Sequence, residues 1–227
     1  MSKRNPLVSM SIGVGLATGL YGISFGALGT AAGLSVWQTQ VLSLLMFSGG
    51  SQFAFIGVIA AGGPAAVGAA IVSAWLLGVR NGFYAVRMNP ILEATGLKRL
   101  AAAQLTIDES TAVSTAQDTS PQQRKGFWLT GLAVFVFWNL MTLMGALLGN
   151  ALGDPKAWGL DAAAAAAFLG LLWPRLKERQ ALAVAALAFL VAVISTPALP
   201  AGIPVIIAGA VAVVVGGFNL FSRRERS

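Results

Sequence analysis

The stretch with the most chemistry in it is Phe47-Ser48-Gly49-Gly50-Ser51-Gln52-Phe53, where two glycines, two hydroxyls and an amide interrupt a long apolar run. Paired glycines permit an unwound turn, and Ser48, Ser51 and Gln52 supply polar ligands within it. A helix restarting after such a turn aims free backbone N–H groups and the positive end of its dipole at whatever lies in front, which suits a carboxylate. Phe53 and Phe55 would then line an aliphatic pocket. The competing reading is that the small residues only let helices pack closely.

Arg80 is the next candidate, set in an otherwise apolar segment with Asn81 and Tyr84 nearby. An unpaired charge there costs on the order of 3 kcal/mol, so Arg80 calls for a partner carboxylate, a substrate carboxylate or a wet cavity, unless it snorkels to an interface. Asp108 and Glu109 are candidate partners and candidate gating or coupling groups. They also open an Asp-Glu-Ser-Thr run and suit the first turn of an interfacial helix. Asp161, directly before the alanines 162–167, carries the same two readings. With no His and no Cys, imidazole and thiolate chemistry, metal clusters and the usual nucleophile systems are excluded, and no cofactor is called for. No phosphate-binding Gly-x-x-x-x-Gly-Lys loop is present, so the chain reads as neither an enzyme nor an ATP-driven pump.

These groups have to be held in a bilayer. The 227 residues are 56% hydrophobic and 10% charged, and no charged residue occurs from Asn5 to Val79. At about 1.5 Å per residue, that run has room for about three crossings of a hydrocarbon core of about 30 Å. The apolar sequence continues past the N-terminal region, unlike a cleaved signal peptide. The expected fold is an all-α polytopic membrane protein in one domain, 1–227, with a first half over 7–86, an interfacial link over 87–125 and a second half over 126–221. Its hydrophobic segments are read as 7–33, 38–61, 65–86, 126–150, 157–174, 181–196 and 203–221. They are separated by breakers such as Gly62-Gly63-Pro64 and Gly153-Asp154-Pro155. Gly15, Gly19, Gly22, Gly26 and Gly29 recur every three or four residues and mark one close-packed face of the first segment. Trp37, Trp128, Trp138, Trp158, Trp173 and Tyr84 read as an interfacial aromatic belt.

The net charge of +7 comes from basic residues scattered at segment ends rather than gathered on one face, which argues against nucleic acid and for a topology signal. Arg223, Arg224 and Arg226 place the C-terminus in the cytoplasm, with Arg175, Lys177, Arg179, Lys98, Arg99, Arg124 and Lys125 on the same side. Seven full crossings would put Lys3 and Arg4 outside, against the rule. One segment is therefore expected to be broken or re-entrant, with 7–33 and 38–61 the best candidates and 157–174 the rival. An inverted repeat relating the two halves is compatible with this count.

The chain resembles the AzlC-type family of branched-chain amino-acid permeases. The resemblance rests on Gly22-Ile23-Ser24-Phe25-Gly26, the Phe47–Phe53 stretch, Arg80 with Tyr84, Leu105-Thr106 with Asp108-Glu109, and weakly Asp161 with Phe168 and Pro174. The family pattern around the arginine reads Asn, any residue, Arg, His, whereas this chain has Gly78, Val79, Arg80 and Asn81. The resemblance implies a gradient-driven exporter of branched-chain or similar apolar amino acids in the bacterial inner membrane. It also implies a second, small membrane subunit of the AzlD type.

Overall fold

The computed structural model describes residues 6–152, 169, 172–173 and 175–218. Among these residues every regular element is helical: α1 (Pro6–Ala31), α2 (Val36–Leu45), α3 (Gly49–Gly62), α4 (Val67–Leu92), α5 (Gly96–Gln104), α6 (Asp108–Thr115), α7 (Ser120–Leu152), α8 (Arg179–Ser195) and α9 (Ile203–Gly217). Single 3-10 turns precede α4 and α8. The helices α1 and α7 are each long and apolar enough to cross a membrane. So is the stretch Gly49–Leu92, of which α4 is the longer part, while α8 and α9 are shorter apolar helices.

Helix ends follow local chemistry. Gly33 at φ 91° closes α1, with the Leu34 N–H reaching back 3.1 Å to the Gly29 carbonyl, the glycine-terminated helix end that a left-handed residue makes possible. Ser35 and Gln38 then form a reciprocal capping box that starts α2.

The contacts between helices fix their directions. Helices α1 and α7 run parallel in close contact: Leu7 lies by Gly126, Ser11 accepts a hydrogen bond from Thr130, Gly15 faces Ala133, Gly19 faces Phe137, and Gly149 meets Ala27. The expected glycine face is real and is shared between α7 and α2. A Cβ added at Gly26 would collide with the Thr142 carbonyl, and one at Gly29 would sit 2.6 Å from Thr39. Near the starts of α1 and α7 lie the end of α4, where Arg124 bonds the Ile91 carbonyl and Glu93, and the end of α6, where Ser114 bonds the Gln123 carbonyl. This is the basic face, which also holds Lys98 and Arg99 in the first turn of α5.

From the opposite face α2 descends to about mid-depth. The chain breaks at residues 46–48, and α3 returns to the face it came from, so that its end packs with Ala32 at the end of α1. The same plan recurs upside down: α4 runs back to the basic face, α5 re-enters from it, the chain breaks at residues 105–107, and α6 returns. The lengths agree in three parts, with 26 residues in both α1 and α4, 10 in α2 against 9 in α5, and a three-residue break in each hairpin, while the returning helices differ, 14 residues in α3 against 8 in α6. A long helix, a short helix, a three-residue break and a returning helix thus occur in the same order over 6–62 and over 67–115.

The re-entrant segment is 38–61, and 7–33 crosses without a break. The supposed interfacial link is in large part a second hairpin that also reaches mid-depth. The rival segment 157–174 lies mostly outside the described residues. Lys3 and Arg4 lie outside the described residues. The α8–α9 turn lies at the opposite face, with Ala201 against Gly62 and Gly202 against Ala69 and Val58.

Close approach of α1 and α7 leaves no room for a side chain at Gly26. Gly26→Val should destabilise the protein by roughly 3 kcal/mol or more, read as a large drop in Tm, whereas Gly13→Ala, with nothing within 4 Å of an added Cβ, should leave Tm within a degree or two.

Candidate functional site

The two hairpins break where they meet, and each break frees backbone groups that an apolar interior cannot hydrate. The carbonyls at the end of α2 are all taken up. Leu42 accepts from the Met46 N–H, Ser43 and Met46 accept from Gln52 Nε2 at 3.3 and 2.7 Å, and Leu44 and Leu45 accept from Gln104 Nε2 at 2.8 and 3.4 Å. One glutamine comes from the same hairpin and the other from the opposed one, so the second ties the two tips together. In the other break, Ser110 Oγ donates to the Leu105 and Ile107 carbonyls and accepts from the Ile107 N–H, and Thr106 bonds the Ala102 carbonyl.

The amide ends are treated differently. Ser48, at the start of α3, makes no side-chain capping bond, and its hydroxyl is buried without a partner. The N–H groups of the first turn of α3, at Gly49, Gly50 and Ser51, thus have no side-chain cap, and this is the positive end of the helix dipole. Arg80, midway along α4, pairs through Nη1 with Asp108 Oδ2 at 3.0 Å, while its Nη2 lies 3.0 Å from where a Cβ of Gly50 would stand. A glycine is needed there for the guanidinium to approach the start of α3.

In front of these groups lies a cavity of about 240 Å³. Its polar wall is Ser48, Gly49, Gly50, Arg80, Asn81, Asp108, Glu109, Thr18 and Tyr21, and its apolar wall is Phe47, Phe53, Ile107, Val134 and Trp138. Thr18 donates to Glu109 Oε1 at 3.5 Å. The apolar wall is held by ring packing: Phe25 meets Phe53 edge-on at 5.8 Å and stacks on Trp138 at 6.2 Å, and Phe47 meets Phe135 edge-on at 5.0 Å. Cation and anion receptors therefore stand side by side, next to an aromatic wall.

A family model described as AzlC protein matches residues 13–152, well over half of the chain. The chain belongs to the AzlC family. No curated protein and no solved structure matches it. The AzlC match spans α1 to α7, both hairpins and the cavity, and stops before α8 and α9. The family is one of membrane transport proteins, which the apolar helices and the mid-depth cavity suit.

Eight of the residues singled out in the sequence meet at this cavity: Ser48, Gly49, Gly50, Phe53, Arg80, Asn81, Asp108 and Glu109. The others do not. Ser51 faces a second, more open cavity of about 500 Å³ on the outer flank of α4, along with Gly78, Trp75 and Gln104. Gln52 is fully buried and lines neither cavity; its Nε2 bonds the α2 carbonyls and so shapes the turn, while its Oε1 has no hydrogen-bond partner. Tyr84 lines neither cavity. Asp161 lies outside the described residues.

Asp108 and Glu109 do occupy the first turn of a helix, and that helix begins level with the middle of α4, where Arg80 pairs with Asp108. Arg80 does not snorkel. Trp138 is 4% exposed and central, not part of an interfacial belt. Its place twelve residues into the segment 126–150 is a signal that the sequence does carry. Thr18, Tyr21, Ile107, Val134 and Gln104 carry no distinguishing local pattern.

Because Gln52 satisfies buried carbonyls, Gln52→Ala should cost about 1–3 kcal/mol, lowering Tm in the absence of any ligand. Ser48→Ala, which removes a hydroxyl that bonds nothing in the fold, should leave Tm unchanged and weaken ligand binding instead.

Proposed function

We propose that the chain carries a small apolar amino acid, of the branched-chain type, across the membrane. The observation that supports this best is the arrangement of charge in the mid-depth cavity. The uncapped start of α3, the Ser48 hydroxyl and Arg80 Nη2 form a carboxylate receptor, and beside it the carboxylates of Glu109 and of Asp108, the latter already paired with Arg80, form an ammonium receptor. Phe47, Phe53, Val134, Ile107 and Trp138 offer a leucine-sized side chain an apolar wall. A zwitterion with one aliphatic arm satisfies all three surfaces at once.

Carriage follows from the topology. Hairpin α2–α3 separates the cavity from one face of the membrane and hairpin α5–α6 from the other. Displacing one tip at a time opens the site to alternate sides, as in transporters built from inverted repeats. By the excess of Lys and Arg, we take the basic face, with Lys98, Arg99 and Arg124, as the cytoplasmic side of a bacterial inner membrane. We take the direction as export and include an AzlD-type small subunit, as the family resemblance suggests. The departure from the family pattern at Gly78 affects the second cavity, while Asn81 lines both cavities.

Cells expressing the chain with a small membrane subunit of that family and loaded with leucine-containing dipeptide should release free leucine along a saturating curve. Arg80→Ala should reduce that release by more than tenfold at unchanged membrane abundance. Non-saturating release would favour a passive channel, and wild-type release by Arg80→Ala would reject the site.

A further inference from the structure

Phe47, Ser48 and Asn81 line both cavities, so that the two are separated by the side chains of these three residues. Phe47 and Ser48 belong to the break of hairpin α2–α3. Beyond this wall the second cavity follows α4 from Gly82 back to Ile71, a rise of about 16 Å that ends about one turn short of the start of the helix. It therefore leads from the level of the first cavity toward the face opposite the basic one. At about 500 Å³ it is the roomier of the two.

The cavities differ in charge. Arg80, Asp108 and Glu109 line the first, whereas among the described residues no charged side chain lines the second. Of its polar residues, Gln104 and Thr106 are bonded to backbone carbonyls. Ser51 Oγ, Ser48 Oγ and Asn81 Oδ1 are buried without partners, the two serines being 2% and 7% exposed. Buried groups of this kind are costly unless bonded, so they call for water or a polar guest, and an acyl chain would leave all three unbonded. Charged groups retain a zwitterion, while neutral hydroxyls and amides can solvate it and let it go. Glycine keeps the way clear. A Cβ at Gly78 would stand 3.4 Å from Ser51 Oγ, and one at Gly82 would meet nothing within 4 Å. The seam glycines of α1 are filled by α7 and α2, but the space beside these two is left open.

We propose that the second cavity is the passage by which the substrate leaves the mid-depth site toward the face opposite the basic one, with Phe47, Ser48 and Asn81 as the door between them. It rests on the carrier reading of the site. When the α2–α3 tip moves, Phe47 and Ser48 withdraw from Asn81 and the two cavities join. The amino acid then exchanges the charged groups of the first cavity for neutral ones. The Ser51 hydroxyl donates to its carboxylate, and Asn81 Oδ1 accepts from its ammonium group.

Gly78→Leu places a side chain in the passage without altering the charged site. In the full chain co-expressed with the small subunit, it should keep leucine affinity in lipid nanodiscs within about twofold while cutting leucine release from dipeptide-loaded cells roughly tenfold or more, because escape rather than binding is obstructed. Gly57→Leu, on α3 and outside both cavities, should release leucine at the wild-type rate. The chain has no cysteine, so Gly82→Cys introduces a single thiol, which reacts as its thiolate and only where water reaches it. A small anionic methanethiosulfonate added outside the cells during efflux should label Gly82→Cys and leave Gly57→Cys unlabelled. This labelling decides the matter alone where Gly78→Leu does not fold. Wild-type release by Gly78→Leu, loss of leucine binding by the folded variant, or no external labelling of Gly82→Cys overturns the passage and leaves the carrier reading standing. No leucine binding or release by the wild-type chain overturns the carrier reading and the passage with it.

Discussion

A helix broken in the middle of an apolar bundle releases carbonyls and amides that must be bonded internally, and the architecture of this AzlC-family chain follows from how it meets that requirement. The carbonyls at the end of α2 are bonded by Gln52 and Gln104, so the turn of one hairpin is completed by a side chain from the other. The amides at the start of α3 are left to face Arg80 and the cavity. One end of the break is structural and closed, and the other is open to a ligand.

The Arg80–Asp108 pair follows from the same requirement. A guanidinium halfway along α4 is tolerable only because hairpin α5–α6 brings a carboxylate to the same depth, and that carboxylate reaches mid-depth only because the hairpin re-enters. The glycine seam between α1 and α7 sets the wall behind it. By letting two backbones touch, it brings Trp138 and Phe25 together and fixes the aromatic side of the cavity. Position, charge and shape at the site thus trace to three sequence features: small residues in α1, the Ser-Gly-Gly-Ser turn, and charged residues where apolar ones are the rule.

Much of this was legible in the sequence. The Ser48–Gln52 interruption gave away the broken segment, because glycine and hydroxyl residues in an uncharged run have few other uses, and Arg80 announced a partner by its cost. The opposition of Lys3 and Arg4 to the other basic residues pointed to a broken or re-entrant segment, and the helix break at residues 46–48 lies in one of the expected segments. What the sequence could not show was pairing across distance. Residues 96–115 are short and of mixed polarity, so their pattern matches an interfacial helix as well as a hairpin. Only the contacts of Gln104 and Asp108 with hairpin α2–α3 and α4 distinguish the two. For the same reason, the sequence does not show that Gln52 Nε2 brackets the turn.

The claim that everything else rests on is that Arg80 and Asp108 meet at mid-depth and hold the second hairpin against α4. A double-mutant cycle on Tm, using Arg80→Met, Asp108→Leu and the two together, addresses it most directly, since each single change strands a charge and the double change strands none. The account predicts strongly non-additive effects, with the double variant more stable than either single one. Additive losses from the two substitutions would mean that the residues do not interact, and would contradict it.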